Sequence, residues 1–157
     1  MAAPRPQPTA HATALRWLAR REYCETELRM KLGEKGFPPK EIDTCIQRLV
    51  EQGFLSEARF AEAFLRSRLR RGEAPWLAVR KARLRGVDAQ ALAQAAESAA
   101  QDFDADAACA AWLARRDPQE LRFSESLRWQ REARFLKQKG YDSATILRAL
   151  QRRNVED

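Results

Sequence analysis

The stretch Leu28-Arg29-Met30-Lys31-Leu32-Gly33-Glu34-Lys35-Gly36-Phe37-Pro38-Pro39-Lys40-Glu41-Ile42 holds a helix end, a reversal and a new helix start. Leu28 and Leu32 stand four apart on one helical face. Gly36 follows in the place where a residue tolerant of positive φ ends a helix at low cost. Phe37 is apolar, and Pro38-Pro39 offer the fixed φ suited to a first helical turn. Ile42 then opens the apolar face of the next helix, continued by Cys45, Ile46, Leu49 and Val50.

The same arrangement recurs around Gly86 and Gly140. One position later stand Phe37, Val87 and Tyr141; two later, Pro38, Asp88 and Asp142; six later, Ile42, Leu92 and Ile146. Four positions before the glycine are Leu32, Ala82 and Leu136. Trp17-Leu18-Ala19-Arg20-Arg21 recurs word for word as Trp112-Leu113-Ala114-Arg115-Arg116, with Phe64-Leu65 in that place in the middle copy. The copies lie 50 and 54 residues apart, with a longer loop around Asp117–Phe123 in the third.

Gly36, Gly53, Gly72, Gly86 and Gly140 read as helix ends, while Gly33 falls inside a last turn. Starts are marked by Pro38-Pro39, Ser56, Pro75, Asp88, Asp104, Ser124 and Asp142. These signals predict nine helices, at about 11–22, 24–35, 39–52, 56–71, 74–85, 88–100, 104–116, 124–139 and 142–153. Composition agrees: 28 Ala, 17 Leu and 23 Arg against four Val and three Ile favour helix over strand. The expected fold is all-α, three tandem three-helix repeats in an elongated, curved array. Its expected segments are a flexible tail 1–11, repeats 12–54, 55–102 and 103–153, and a tail 154–157. A unit of about 45 residues has little core of its own, so neighbours must pack side by side. The repeated Trp17, Trp112, Phe37 and Tyr141 are expected in the core.

The residue inventory argues against an enzyme. The one histidine, His11, lies in the expected tail, and the spacing of Cys24, Cys45 and Cys109 fits neither a disulfide framework nor a zinc site. No phosphate-cradling glycine loop or HExxH is present, so no catalytic residue, metal or cofactor is expected. No 18-residue apolar run exists, and the expected location is the reducing cytoplasm.

Charge is segregated. The net +7 divides into +2 over residues 1–56, +6 over 57–86, −5 over 87–127 and +4 over 128–157. In the second segment Arg59, Arg66, Arg68, Arg70, Arg71, Arg80, Lys81, Arg83 and Arg85 face only three acids. Arg131, Arg134 and Lys137 form a second concentration. Six net charges in 30 residues exceed what solubility needs and suit phosphates or an acidic protein groove. Trp76 and Trp129, beside Arg80 and Arg131, are candidate contact aromatics. No helix-turn-helix, zinc-finger, RRM or KH signature accompanies the charge, so sequence-specific base reading is not indicated.

Arg20-Arg21-Glu22-Tyr23-Cys24-Glu25-Thr26-Glu27-Leu28-Arg29-Met30-Lys31-Leu32, ending at Lys35-Gly36-Phe37, resembles the opening motif of the RecX family. Leu49-Val50-Glu51-Gln52-Gly53-Phe54-Leu55-Ser56-Glu57-Ala58-Arg59-Phe60-Ala61 resembles its most recognisable stretch. Arg71-Gly72 with Pro75 looks like its Gly-Pro helix start, and Arg134-Phe135-Leu136 with Lys139-Gly140-Tyr141-Asp142 like its closing motif. The resemblance spans residues 12–152, in order. Three positions depart from the pattern: Cys24 replaces a capping serine, Ser56-Glu57 an acidic pair, and Ala82 a large apolar residue. The resemblance implies a monomeric, non-enzymatic regulator of the RecA recombinase in DNA repair and the SOS response. It would lie in the groove of the RecA–DNA filament and inhibit ATPase and strand exchange, touching single- or double-stranded DNA weakly and without sequence preference. The alternative is a helical-repeat protein that binds DNA directly, without the recombinase.

Overall fold

The computed structural model describes residues 6–116 and 126–155. Among them are nine helices and no strand: α1 Ala10–Leu18, α2 Glu25–Glu34, α3 Pro39–Glu51, α4 Glu57–Arg70, α5 Pro75–Leu84, α6 Ala89–Gln101, α7 Ala105–Arg116, α8 Ser126–Gln138 and α9 Ser143–Val155. The start expected at Ser124 and the loop at Asp117–Phe123 lie outside the described residues. The helices fall into two compact units, one of residues up to Phe64 with Ala82–Ala95, the other of Leu65–Lys81 with the chain from Ala96 onward. Helices of the middle copy thus contribute to both.

Five glycines take positive φ: Gly36, Gly53, Gly72, Gly86 and Gly140. Each closes a Schellman motif, in which the amide after the glycine reaches back to a carbonyl of the last turn. Phe37 N–H donates to Leu32 O (3.3 Å), Val87 N–H to Ala82 O (3.4 Å) and Tyr141 N–H to Leu136 O (3.2 Å). This explains the repeat. The residue after the glycine and the residue four before it are the two ends of one bond, and both are buried or half-buried where the helix ends against the core. Leu32, Ala82 and Leu136 are all fully buried, so Ala82 keeps the position while giving up volume.

In the first unit α1, α2 and α3 pack around Ala14, Tyr23, Leu28, Leu32, Ile46 and Leu49. Burying each large apolar side chain contributes about 1.5–3 kcal/mol. Val50, expected on the same face, is 51% exposed: it sits in the last turn, beyond Leu49 and away from the core. Helix α1 also departs from expectation at both ends. It starts at Ala10, where Thr9 Oγ1 accepts Ala12 N–H and Glu41 Oε1 accepts Ala10 N–H. It stops at Leu18, because Tyr23 must enter the core and Arg21 folds over its ring, 3.6 Å from the centroid. At the other end of the chain α9 continues to Val155, past the expected end at 153.

In the second unit α7, α8 and α9 surround Cys109, Leu113, Leu136, Tyr141, Ile146 and Leu150. Trp112 meets Phe135 edge-on at 5.2 Å. Glu132 is buried in a two-point ion pair with Arg116 (2.5 and 3.1 Å), which raises the arginine further above its ordinary range.

Each unit contains one junction between successive copies, built alike. In the first, Thr26 Oγ1 donates to Gly86 O (2.9 Å) and Cys24 Sγ contacts Arg85 O (3.6 Å). In the second, the equivalent Trp76 donates its indole N–H to Gly140 O and Ala74 N–H donates to Lys139 O (2.9 Å). Gly72 O is held there by Trp112 Nε1–H (2.9 Å) and the Tyr141 hydroxyl (2.7 Å).

Candidate functional site

Helix α4 buries Phe60, Ala61 and Leu65, and α5 buries Ala78 and Ala82. The 3.6-residue period therefore turns Arg66 and Arg70 of α4, and Arg80 and Arg83 of α5, outward. Arg71, just past α4, is exposed too. These five have no carboxylate partner among the described residues. On α8 the buried Glu132 and Leu136 leave Arg131, Arg134 and Lys137 exposed at three-residue steps.

The other four basic residues of the segment are engaged. Arg59 donates to Glu22 (3.0 Å) and to Gly53 O (2.8 Å). Arg85 reaches Glu27 at 4.0 Å and covers the Phe64 ring at 5.2 Å. Arg68 and Lys81 both donate to Glu73 Oε1, at 3.3 and 2.6 Å. Glu73 is buried, and its Oε2 finds no hydrogen-bond partner among the described residues. A lone buried carboxylate is costly to desolvate, so these two cations offset its charge.

Glu73 is a residue that the charge count treated only as one acid among three. The repeat register carries the signal that marks it. It occupies the place of Tyr23 in the first copy, a core position, and Lys81 occupies that of Lys31, which donates to the Tyr23 hydroxyl at 3.2 Å. One lysine position serves one buried oxygen in both copies.

The two candidate aromatics differ. Trp76 is 55% exposed, whereas Trp129 is half-buried against the core of the second unit. No group of three or more His, Cys, Asp or Glu able to hold a metal occurs among the described residues. No helix among them is long and apolar enough to cross a membrane.

Residues 10–49, covering nearly all of α1 to α3, match the family model "RecX, first three-helix domain". A regulatory protein RecX of Halorhodospira halophila is 34% identical over 92% of this chain and 88% of its own length. That of Chromohalobacter salexigens is 36% identical over 90% and 91%. This chain belongs to the RecX family. The crystal structure of RecX from Lactobacillus salivarius has the same fold, with a TM-score of 0.69 at 18% identity over 94% of this chain and 96% of that one. A second RecX crystal structure gives 0.68 over 91% of this chain and 70% of its own.

Two of the departures from the RecX pattern have structural answers. Cys24 makes no side-chain cap on α2. Instead Glu57 Oε1 accepts Glu25 N–H (2.5 Å) while Oε2 accepts Asp88 N–H (2.7 Å), so one carboxylate serves the starts of α2 and α6. Ser56 retains its own cap, accepting Arg59 N–H at 3.2 Å.

Proposed function

We propose that this chain regulates the RecA recombinase by binding in the groove of the RecA–DNA filament, limiting ATP hydrolysis, strand exchange and filament growth. Membership of a family whose relatives are named regulatory proteins supports the regulatory role. The observation that carries the binding mode is the set of outward arginines on α4 and α5 that no internal carboxylate neutralises. Arginine offers a planar fork to phosphate or carboxylate, the groups expected on a groove that is part nucleic acid and part protein. The action is steric and electrostatic, and no side chain is assigned to bond making or breaking. The protein spans neighbouring recombinase subunits and competes for the groove. Arg131, Arg134 and Lys137 on α8 are proposed as a second basic contact.

Reversing Arg66, Arg70, Arg80 and Arg83 to Glu is expected to abolish inhibition of DNA-stimulated RecA ATP hydrolysis and leave helical circular dichroism intact. A quadruple variant that inhibits like the wild type removes these arginines from the binding surface.

The same arginines would serve a protein that acts on DNA directly. That reading requires naked-DNA affinity whose log K falls with log salt by about 0.9 per phosphate neutralised.

A further inference from the structure

The junctions in the two units pose one question: why does a tryptophan stand at position 76? In the first unit Thr26 makes the bond to the turn carbonyl of Gly86 with a hydroxyl. In the second, Trp76 makes the equivalent bond to Gly140 O with its indole N–H. The bond needs a donor and no ring. Trp76 nevertheless leaves 55% of its surface in solvent, where a large aromatic contributes nothing to the core. The anchored N–H ties the ring to the Gly140 turn on the first turn of α5, so it is displayed and held.

One turn further on, the copies differ in the same sense. The first has exposed Met30, and the second has exposed Arg80 with no carboxylate partner among the described residues. A residue four positions along a helix lies on the same face. The second copy has therefore gained a flat aromatic ring and a guanidinium side by side, on a position that the first copy fills with Thr and Met. A held ring beside a cation has the chemistry of single-strand recognition, where an unpaired base stacks on the ring and the adjoining phosphate meets the arginine. A base inside a duplex presents no free face to it.

We propose that Trp76 and Arg80 form a stacking platform for an unpaired base, giving this chain a preference for single-stranded over duplex nucleic acid. The proposal rests on the filament-regulator reading and adds to it the residue that meets the strand.

The test is fluorescence anisotropy of the full chain with an oligothymidylate of about 16 nucleotides and with a hairpin duplex. Trp76→Thr copies the residue of the first copy and keeps a hydroxyl donor; Trp76→Leu keeps apolar bulk without a flat ring; Trp76→Phe keeps a ring without the donor. Both Trp76→Thr and Trp76→Leu are expected to weaken single-strand binding about tenfold or more, with duplex binding unchanged, and Trp76→Phe, whose ring stacks without its anchor, is expected to lose less than either. Circular dichroism of each variant checks the fold, and the Leu and Phe variants decide the matter if the Thr variant unfolds. Wild-type single-strand binding by Trp76→Leu overturns the proposal and makes the ring an apolar anchor for protein. Equal losses on single strand and duplex overturn it as well. ATPase inhibition is measured on the same wild-type sample: inhibition without any single-strand preference overturns the platform alone, and absence of inhibition overturns the regulatory reading.

Discussion

Gly72 and Gly36 share a left-handed backbone, with φ of 81° and 89°, but their surroundings differ. A Cβ on Gly36 meets nothing within 4 Å, whereas one on Gly72 runs into the Trp112 indole. Gly36→Ala therefore costs only the left-handed strain, about 1–2 kcal/mol. Gly72→Ala adds displacement of Trp112 and of its bond to Gly72 O, about 1 kcal/mol more. Urea unfolding of the two variants should rank them in that order. Equal losses would mean that Trp112 does not hold the Gly72 turn. Burial also pushes the Tyr141 phenol up from 10 to about 12 and the Cys109 thiol up from 9 to about 12. Both groups are favoured neutral in the folded state. The Tyr141 contribution is thus complete below about pH 10 and is lost as the pH rises through about 12. Tyr141→Phe should lower stability at neutral pH by about 1 kcal/mol, through the bond to Gly72 O. It should also lose less stability than the wild type between about pH 10 and 12. Parallel slopes in that range would place the phenol in solvent. Ellman's reagent should leave all three buried thiols unmodified until the chain is unfolded.

At the scale of the helix, ends were more legible than faces. Glycine that follows a helical pattern and precedes a new start signal is a local signal, because a positive φ depends on the residue itself, and all five ends expected from it take that conformation. Capping side chains were legible for the same reason: Asp88, Asp104 and Asp142 each accept the amide three residues on, at 2.9, 3.0 and 2.8 Å. Val50 and the early stop of α1 were not, since both depend on where the neighbouring helices lie. Glu57 shows the limit most clearly. The local pattern marks it only as an acid in a first turn, yet it satisfies amides 32 and 31 residues away. Glu57→Ala should cost about 2 kcal/mol, as two caps of about 1 kcal/mol each are lost together. Glu57→Gln, with one acceptor oxygen, should cost about half as much. A loss for Glu57→Ala no larger than that of an ordinary surface substitution in thermal melts would contradict the double cap.

For the whole chain, the charge sum located the basic segment without saying which of its members are available. Arg59, Arg68, Lys81 and Arg85 go to internal partners, and Arg66, Arg70, Arg71, Arg80 and Arg83 remain outward. A linear count cannot separate the two groups, because pairing depends on which carboxylate the fold brings near. The repeat register recovers part of it, since Lys81 falls on the Lys31 position. Family membership and the three-copy pattern were both legible, the first from ordered motifs and the second from spacing. The central claim is that the outward arginines serve a nucleoprotein filament. Its most direct test is an equilibrium titration of the chain against the RecA filament on single-stranded DNA and against naked single- and double-stranded DNA, over a range of salt. Tight binding to the filament with weak binding to both naked DNAs is the predicted result. Naked-DNA binding as tight as filament binding, falling by about 0.9 in log K per phosphate neutralised as log salt rises, would contradict it.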